Sequence, residues 1–321
     1  NYAYGSLRAD VLHGSLGFAT MKVTDTRTGI VTDSTYRQDY PFIGMPATQT
    51  TKTAGGTTLS SSSVTYADQT PAAATRLPYA SQSSQSSYEL NGSLIVTTTT
   101  TTAIDNYANV TSITVATTDG FSKATVNQYN AENVPAWLLG RLTNATVTAY
   151  APGKPGLVRA SAFSYNSTTG LLETETVEPG DNTLKLTTTY GYDQFGNKTS
   201  VEVKGKNLTV DGSGNYSVGA DVSRTTTTQY DARGRFPLWT RNALNQQENY
   251  TGYDQALGVL TGMTGANNLA TSWAYAGFGR KVPANRADRP HSSVPHRCAP
   301  GPAPPHPAPP VATPPPAPPP P

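Results

Sequence analysis

Apolar and polar residues alternate over short stretches of this chain, with the period of two that is typical of β-strands. Residues 1–53 alternate in this way, with aromatic residues at several apolar positions. In Leu172-Glu-Thr-Glu-Thr-Val177 the alternation places Glu173 and Glu175 on one strand face, which we expect to be the solvated one. The best apolar run, around Val134 to Leu139, is far below the ~20 residues of a membrane span. The pattern predicts many short strands and no transmembrane segment.

The composition favours the same fold class. The chain has 18 Tyr but only 7 Phe, 3 Trp and 3 Met, and its threonines include an unbroken run from Thr97 to Thr102. Threonine and tyrosine suit a pleated, half-buried surface, and the 28 glycines suit turns. An all-β fold of short strands is therefore predicted.

Charge and cysteine content exclude several functions. The formal net charge is only +2, with no block rich in Lys or Arg, so we expect no nucleic-acid partner. Cys298 is the single cysteine, which leaves neither a disulfide framework nor a cysteine metal cluster. The four histidines are too scattered for a metal site or a catalytic triad: His13, His291, His296 and His306. We expect no cofactor and no enzymatic activity.

Composition divides the chain into three regions. Residues 1–53 form a β segment, residues 54–288 are rich in Thr, Tyr and Gly and carry repeats, and residues 289–321 are a Pro/Ala-rich tail. The tail cannot bury a core, so we expect it to be disordered. Its composition changes so abruptly after Asp288 that we favour a reading-frame shift over a spacer or a ligand for aromatic grooves. The start at Asn1, without Met or a signal-peptide pattern, leads us to expect a fragment or a processed chain.

The middle region contains internal repeats. Residues 105–115 match residues 193–203 at the Asp, Asn, Thr, Ser and Val positions. Pro135-Ala-Trp137 and Pro237-Leu-Trp239 follow further on, each after a Gln-Tyr pair. The second copy is longer, and its hydrophilic extra stretch, Lys204 to Val218, is predicted to be a turn-rich loop or hairpin tip.

A shorter unit overlays this duplication. It has the form Tyr-Asp-x-x-Gly-Asn/Arg and recurs at intervals in the ~20–50 residue range of repeat architectures. Its positions are Tyr192, Asp193, Gly196 and Asn197; Tyr230, Asp231, Gly234 and Arg235; Tyr253, Asp254 and Gly258 in a looser copy; and Tyr275, Gly279 and Arg280.

The spacing of this unit predicts a stacked β-hairpin. A strand ends near the tyrosine, and the aspartate accepts a backbone N–H two residues later. The glycine allows a positive φ, and a second strand follows, as at Lys198 to Val203. The tyrosine ring would pack on the next hairpin and leave its hydroxyl at the edge.

The pattern resembles the YD repeat of RHS (rearrangement hotspot) proteins, on the residues just given. Ile104 and Ala108 replace Tyr and Gly in the first unit, and Ala276 replaces Asp in the last. The segments His13-Gly-Ser-Leu-Gly-Phe18 and Tyr36 to Pro46 are similar to a segment that precedes such repeats in insecticidal toxin-complex B subunits and related virulence proteins.

The resemblance implies a spiral shell of β-hairpins around a toxic C-terminal domain, secreted by a bacterium or held on its surface. The expected partners are the rest of the shell, its cargo domain and other toxin-complex subunits. The chain is too short to close a shell, and neither the self-cleaving aspartate site nor a toxin domain is found in it. We therefore predict a structural, non-enzymatic encapsulation fragment. The alternative is a β-repeat adhesin that binds cell-surface glycans through exposed Tyr and Trp.

Other candidate sites have plainer interpretations. A glycosidase carboxylate pair would come from Glu173, Glu175, Glu178 and Asp181, and a calcium site from Asp211-Gly-Ser-Gly-Asn215. We favour a strand face for the first and a plain turn for the second. Trp137, Trp239 and Trp273 could stack on sugars, but as strand aromatics they are expected in the core. Asn-x-Ser/Thr triplets are attributed to chance in a bacterial chain; they begin at Asn91, Asn109, Asn144, Asn166, Asn197, Asn207, Asn215 and Asn249.

Overall fold

The computed structural model describes residues 1–72 and 75–286, with side chains up to residue 282. Every regular element in these residues is a β-strand, which confirms the all-β prediction. The Pro-rich tail, Cys298 and three of the four histidines lie outside the described residues. No helix in the described part is long and apolar enough to span a membrane.

Twenty strands follow one another along the chain, separated by turns. They are β1 Tyr2–Asp10, β2 Gly14–Thr24, β3 Val31–Tyr36, β4 Pro46–Lys52, β5 Thr58–Gln69, β6 Leu77–Tyr88, β7 Leu94–Ile104, β8 Val110–Thr117, β9 Ser122–Tyr129, β10 Leu142–Tyr150, β11 Leu157–Tyr165, β12 Leu172–Val177, β13 Leu186–Tyr192, β14 Lys198–Val210, β15 Tyr216–Tyr230, β16 Pro237–Arg241, β17 Gln247–Asp254, β18 Val259–Thr264, β19 Ala270–Tyr275 and β20 Lys281–Arg286.

The strands belong to two compact units, Asn1–Gln246 and a second unit that begins at Gln247. In the first unit each strand from β2 to β15 pairs antiparallel with the strand before it and the strand after it. In the second unit β17 to β20 pair in the same sequential way. Such up-and-down pairing follows from short turns, because a tight turn can only return the chain antiparallel.

Hydroxylated side chains stabilise the strand pairs. The threonine run lies in β7, between the serines of β6 and the residues of β8. Ser86 Oγ and Thr97 Oγ1 are 2.8 Å apart across one pair of strands, and Thr35 and Thr48 hydroxyls are 2.7 Å apart across another. Cross-strand Thr/Ser pairs of this kind each contribute roughly 0.2–1 kcal/mol.

The sheet has almost no buried core. Within each unit the described strands contact only their neighbours in the chain, so no second layer covers either face. Among the described residues, only Leu16 (8% exposed) and Ser34 (7% exposed) are buried. An ordinary domain buries one sheet face against a second layer. Here backbone hydrogen bonds, half-buried side chains and contacts between turns must supply the stability.

Alternate turns of the first unit lie at the same edge of the sheet, because successive strands run in opposite directions. The turns after odd-numbered strands form what we call the repeat edge. It includes the turns at 105–109, 130–141, 166–171, 193–197 and 231–236. The turns after even-numbered strands form the opposite edge, which includes 178–185 and 211–215.

Candidate functional site

Several turns of the repeat edge share one hydrogen-bond pattern, shown most fully at residues 193–197. Asp193 Oδ1 accepts the backbone N–H groups of Phe195 and Asn197, both at 2.9 Å. Its second oxygen, Oδ2, accepts the Asn197 amide at 3.0 Å. Gly196 has a φ of 84°, which favours glycine. The aspartate therefore satisfies the donors of its own turn and leaves little acceptor capacity for a substrate.

The same hydrogen-bond set recurs where the sequence repeats. Asp105 accepts the N–H of Tyr107 and of Asn109 and the Asn109 amide, at 2.8–2.9 Å. Ala108, which replaces the glycine there, still has a φ of 65°. The turn geometry is thus set by the Asp and Asn, and glycine removes the strain of a positive φ.

Two variants extend the pattern in the first unit. At Asp231 the turn is one residue longer, and Oδ1 accepts the N–H of Arg235 at 2.6 Å and that of Phe236 at 3.2 Å. Asn242 and Gln246 form an amide version, with the N–H of Gln246 3.0 Å from Asn242 Oδ1. A neutral oxygen can therefore replace the carboxylate.

The second unit contains two further turns of the pattern. Asp254 Oδ1 accepts the N–H of Ala256 and of Leu257, both at 2.9 Å, and Gly258 has a φ of 68°. In the last copy, Gly279 has a φ of 73° and the Ala276 N–H donates to the Arg280 carbonyl at 2.8 Å. Alanine offers no side-chain acceptor, so that turn is closed by backbone hydrogen bonds.

Three tyrosines that end strands, Tyr129, Tyr192 and Tyr275, make a contact that the sequence pattern did not predict. The Tyr192 hydroxyl donates to the Leu172 carbonyl at 2.8 Å, at the start of the preceding strand. Tyr129 reaches Val110 at 2.9 Å, and Tyr275 reaches Leu260 at 2.8 Å. In these three tyrosines the hydroxyl is bonded to the preceding strand rather than left at the edge, so each of the three joins two consecutive strands.

Neighbouring turns on the repeat edge pack closely. The Asn197 amide donates to the Gly234 carbonyl at 2.7 Å, linking the turns 193–197 and 231–236. A Cβ built on Gly234 would lie 2.6 Å from Cγ of the Phe195 ring. A Cβ on Gly170 would meet Leu138 Cδ2 at the same distance. Glycine is needed here both for its positive φ and for close approach.

Hydrogen bonds within the turns lower the pKa of two turn aspartates, Asp193 and Asp211. Partial desolvation raises the pKa of Asp193, but hydrogen bonds from Asn197, Phe195 and Gly196 outweigh it, and the pKa is lowered overall. Hydrogen bonds from the Asn215 backbone and side chain lower the pKa of Asp211. Conversely, burial raises the pKa of Tyr192, and burial together with Glu175 raises that of Tyr190.

These shifts predict how stability depends on pH. A lowered aspartate pKa contributes stability that is complete above the unfolded value of about 3.9 and is lost as the pH falls below it. A raised tyrosine pKa contributes stability that is complete below about 10 and is lost as the pH rises through that value. We expect urea denaturation to give a maximal free energy of unfolding between these limits. Asp193→Asn retains a hydrogen-bond acceptor, as Asn242 does, and should make the free energy of unfolding fall less steeply at acidic pH. An unchanged decrease at acidic pH would contradict the role given to the Asp193 carboxylate.

The candidate catalytic carboxylates are also engaged in structural contacts. Glu173 accepts the Asn166 amide at 3.0 Å, and Glu175 accepts the Tyr190 hydroxyl at 3.2 Å. Both are half-buried, so the expected solvated face is wrong. Glu178 lies 3.6 Å from Arg159, and Asp181 accepts the N–H of Thr183 and Leu184. Among the described residues, no group of three or more His, Cys, Asp or Glu is arranged to hold a metal ion.

The three tryptophans have different environments. Trp137 lies outside a strand, in the turn after β9, with a φ of 53° and 76% of its surface exposed. Placing it in a core strand was wrong, because the turn 130–141 is long enough to carry Pro135 to Trp137 away from the sheet. Trp239 in β16 and Trp273 in β19 do lie in strands, but they are half-buried rather than in a core. The Arg241 guanidinium carbon is 4.9 Å from the Trp239 ring centroid, and Lys281 Nζ is 4.5 Å from that of Trp273.

The two N-terminal segments singled out by sequence come together at the repeat edge. The rings of His13 and Tyr40 are stacked with centroids 4.6 Å apart. The Gln38 amide donates to the carbonyls of Ser6 and Gly17, at 2.8 and 2.7 Å. The loop after β3 is thereby fixed to the hairpin formed by β1 and β2.

The fold is similar to that of solved structures of TcdB2-TccC3. One matches with a TM-score of 0.63 and 10% identity over 89% of this chain, and TcdB2-TccC3 with Cdc42 matches with 0.58 and 8% over the same share. TcdB2-TccC3 without its hypervariable C-terminal region matches with 0.59 and 9%. No protein-family model and no curated protein matches the sequence.

This chain spans only 22% of the first of these structures. At such low identity the likeness establishes the fold alone: an all-β arrangement shared with part of TcdB2-TccC3.

Proposed function

We propose that this chain is a structural, non-enzymatic segment of the wall of an RHS-type shell, which encloses a toxic C-terminal domain. The observation that carries the proposal is that the described strands of each unit form one layer of sequential antiparallel pairs and contact only their neighbours in the chain. A globular enzyme needs a core to hold its catalytic groups in place, whereas a wall needs only an extended sheet.

The comparison with TcdB2-TccC3 supports the same proposal. The likeness extends over 89% of the chain, and the matched structure is several times longer. One of the similar structures belongs to a protein that has a hypervariable C-terminal region. A constant wall joined to a variable cargo domain would have such a region.

The contacts of the carboxylates support a non-enzymatic role. Asp193, Asp231, Glu173 and Glu175 each accept hydrogen bonds from turn or strand groups nearby. Each is already part of the structure of the sheet. The proposed partners are the remainder of the shell, its cargo and other toxin-complex subunits, and the proposed location is outside a bacterial cell.

Protease protection tests this proposal. The chain would be expressed with the coding sequence that flanks it, and cleavage of the C-terminal domain followed over time. We expect the enclosed domain to be cut at least tenfold more slowly than the same domain alone, and the protection to fall in a wall variant such as Gly234→Val. Equal cleavage of the enclosed and isolated domains would contradict encapsulation.

A second candidate, glycan binding, is favoured by the exposure of Trp137 at the repeat edge, next to Val134, which is 49% exposed. Exposed indole rings can stack on sugars. A glycan array with the full chain and Trp137→Ala separates the candidates, with the half-buried Trp273→Ala as the matched control. Saturable binding that only Trp137→Ala removes would favour the adhesin; the shell proposal predicts no such binding.

A further inference from the structure

One hairpin of the first unit extends beyond the sheet at the opposite edge. β14 pairs with β13 only as far as Gly205, opposite Leu186, and β15 pairs with β16 only from Thr227 onwards. We call residues 206–221 the finger. Within the described residues, its two strands pair with each other and with no third strand. All of its residues are exposed.

The finger has one apolar face. Leu208 lies opposite Val218, and Val210 lies opposite Tyr216, so these four side chains point to the same side. They are 41%, 47%, 69% and 67% exposed, respectively. A contiguous exposed apolar cluster on a two-stranded ribbon is unfavourable in water and marks a surface that is covered in use.

The other face of the finger is polar. Thr209 lies opposite Ser217, and their hydroxyls are 2.6 Å apart. Asn207 shares this face by alternation along β14. The finger therefore has one apolar and one polar face, and only the apolar face would be stabilised by contact with an apolar partner.

A cationic groove lies at the base of the apolar face. It has a volume of about 540 Å³ and is lined by Lys185, Lys204 and Lys206, with Asp221 as its one acidic residue. Lys206 pairs with Asp221 at 3.0 Å. The register shift between Lys206 and Leu208 places its extra residue on β15, so β14 keeps its alternation and Lys204 and Lys206 lie on the same side as Leu208 and Val210. The groove therefore carries net positive charge directly beside the apolar cluster.

The charged tip of the finger limits the orientations in which the finger could bind to an apolar surface. Asp211 begins the tip turn and accepts the N–H of Ser213 and of Asn215, both at 2.9 Å. Hydrogen bonds from Asn215 keep the pKa of Asp211 low, so its carboxylate is charged at neutral pH. Burying it in hydrocarbon would be costly, so the finger cannot enter a bilayer tip first. It can lie flat with its tip at the aqueous boundary.

We propose that the finger lies flat on an anionic lipid surface, with its four apolar side chains in the interface and its lysines on the headgroups. Charge and apolar contact on the same face are what such a surface requires. An acidic, apolar protein strand would also match the lysines. Such a strand would bind through backbone hydrogen bonds to the open edge of β15, however, and this mode of binding would not use the broad apolar face. This inference does not depend on the proposed shell function.

Vesicle co-sedimentation with the full 321-residue chain tests the proposal. We expect binding to vesicles of phosphatidylcholine with a quarter phosphatidylglycerol, weakening with added salt, and little binding to phosphatidylcholine alone. The double variant Lys185→Gln, Lys204→Gln leaves the Lys206–Asp221 pair intact. It should weaken vesicle binding roughly 30-fold, because each lysine near an anionic surface contributes about 1 kcal/mol.

Two matched substitutions test the apolar contact. Val210→Asn should weaken vesicle binding about tenfold through lost burial of one valine. Thr209→Asn, on the polar face one residue away, should leave binding unchanged. The emission that Tyr216→Trp adds to that of the three native tryptophans, taken as the difference between the spectra of the variant and the parent chain, should shift to the blue with anionic vesicles, which reports burial of residue 216 in the interface. Circular dichroism of each variant checks that the strands are retained.

Two results would overturn the proposal. One is the absence of binding to anionic vesicles by the folded chain. The other is equal weakening by Thr209→Asn and Val210→Asn, because binding would then not use the apolar face. If the chain instead binds an alternating Glu-Val octapeptide and ignores vesicles, the partner of the finger is a protein strand and the lipid proposal fails.

Discussion

Gly234→Val is expected to destabilise the first unit by about 2–4 kcal/mol, because valine at this position combines two costs. Gly234 has a φ of 66°, which a β-branched residue rarely adopts. Its Cβ would also overlap the Phe195 ring of the neighbouring turn. Urea denaturation of the full chain measures the loss.

Glycines elsewhere in the chain separate these two costs. Gly153 has a φ of 68° but nothing within 4 Å of a Cβ, so Gly153→Val should show the backbone cost alone. Gly212 has open space and no positive φ, so Gly212→Val should be nearly neutral. Adding Phe195→Ala to Gly234→Val should recover the steric part. Equal effects at all three glycines would disprove close packing between the turns.

Val147→Pro is expected to lower the free energy of unfolding by at least about 3 kcal/mol, although the valine is only half-buried. Val147 in β10 pairs with Thr125 on one side and with Arg159 on the other. Proline removes a backbone donor from the middle of the sheet and does not fit a central strand.

Val147→Ala is the matched control, because it removes the side chain and keeps the amide. In a packed core this truncation would cost several kcal/mol; in a single layer we expect about 1 kcal/mol or less. Thermal unfolding of both variants measures the contrast. A large loss of stability in Val147→Ala would indicate that a second layer covers this face, which would contradict the single-layer arrangement.

Local chemistry made the turns of the repeat edge predictable from sequence. The aspartate and the asparagine at 193 and 197 form their hydrogen bonds within five residues, so spacing alone indicates the turn. The tyrosine contact was missed because its acceptor, the Leu172 carbonyl, belongs to the preceding strand. A single sequence does not specify which carbonyl a hydroxyl reaches across a sheet.

The tryptophans show where sequence repetition misleads. Pro135-Ala-Trp137 and Pro237-Leu-Trp239 look equivalent in sequence. The turn before Trp239 is short, so that residue enters β16, whereas Trp137 stays in the long turn between β9 and β10. Loop length, rather than the motif, decides whether the indole is covered.

The finger was predicted only in outline. The hydrophilic stretch from Lys204 indicated an insert with a hairpin tip. Its apolar face depends on the register that pairs Leu208 with Val218, and its isolation depends on where β13 ends. Both are properties of strand pairing and are not evident in the local pattern. The proposed boundaries at residues 53 and 288 remain predictions.

Electron cryo-microscopy of the polypeptide expressed with its flanking coding sequence tests the central claim most directly. We expect this chain to form a single β layer that bounds a cavity, with the repeat-edge turns stacked in a row and a separate C-terminal domain inside. A second sheet or helices packed across the faces of these strands, with no enclosed space, would contradict it.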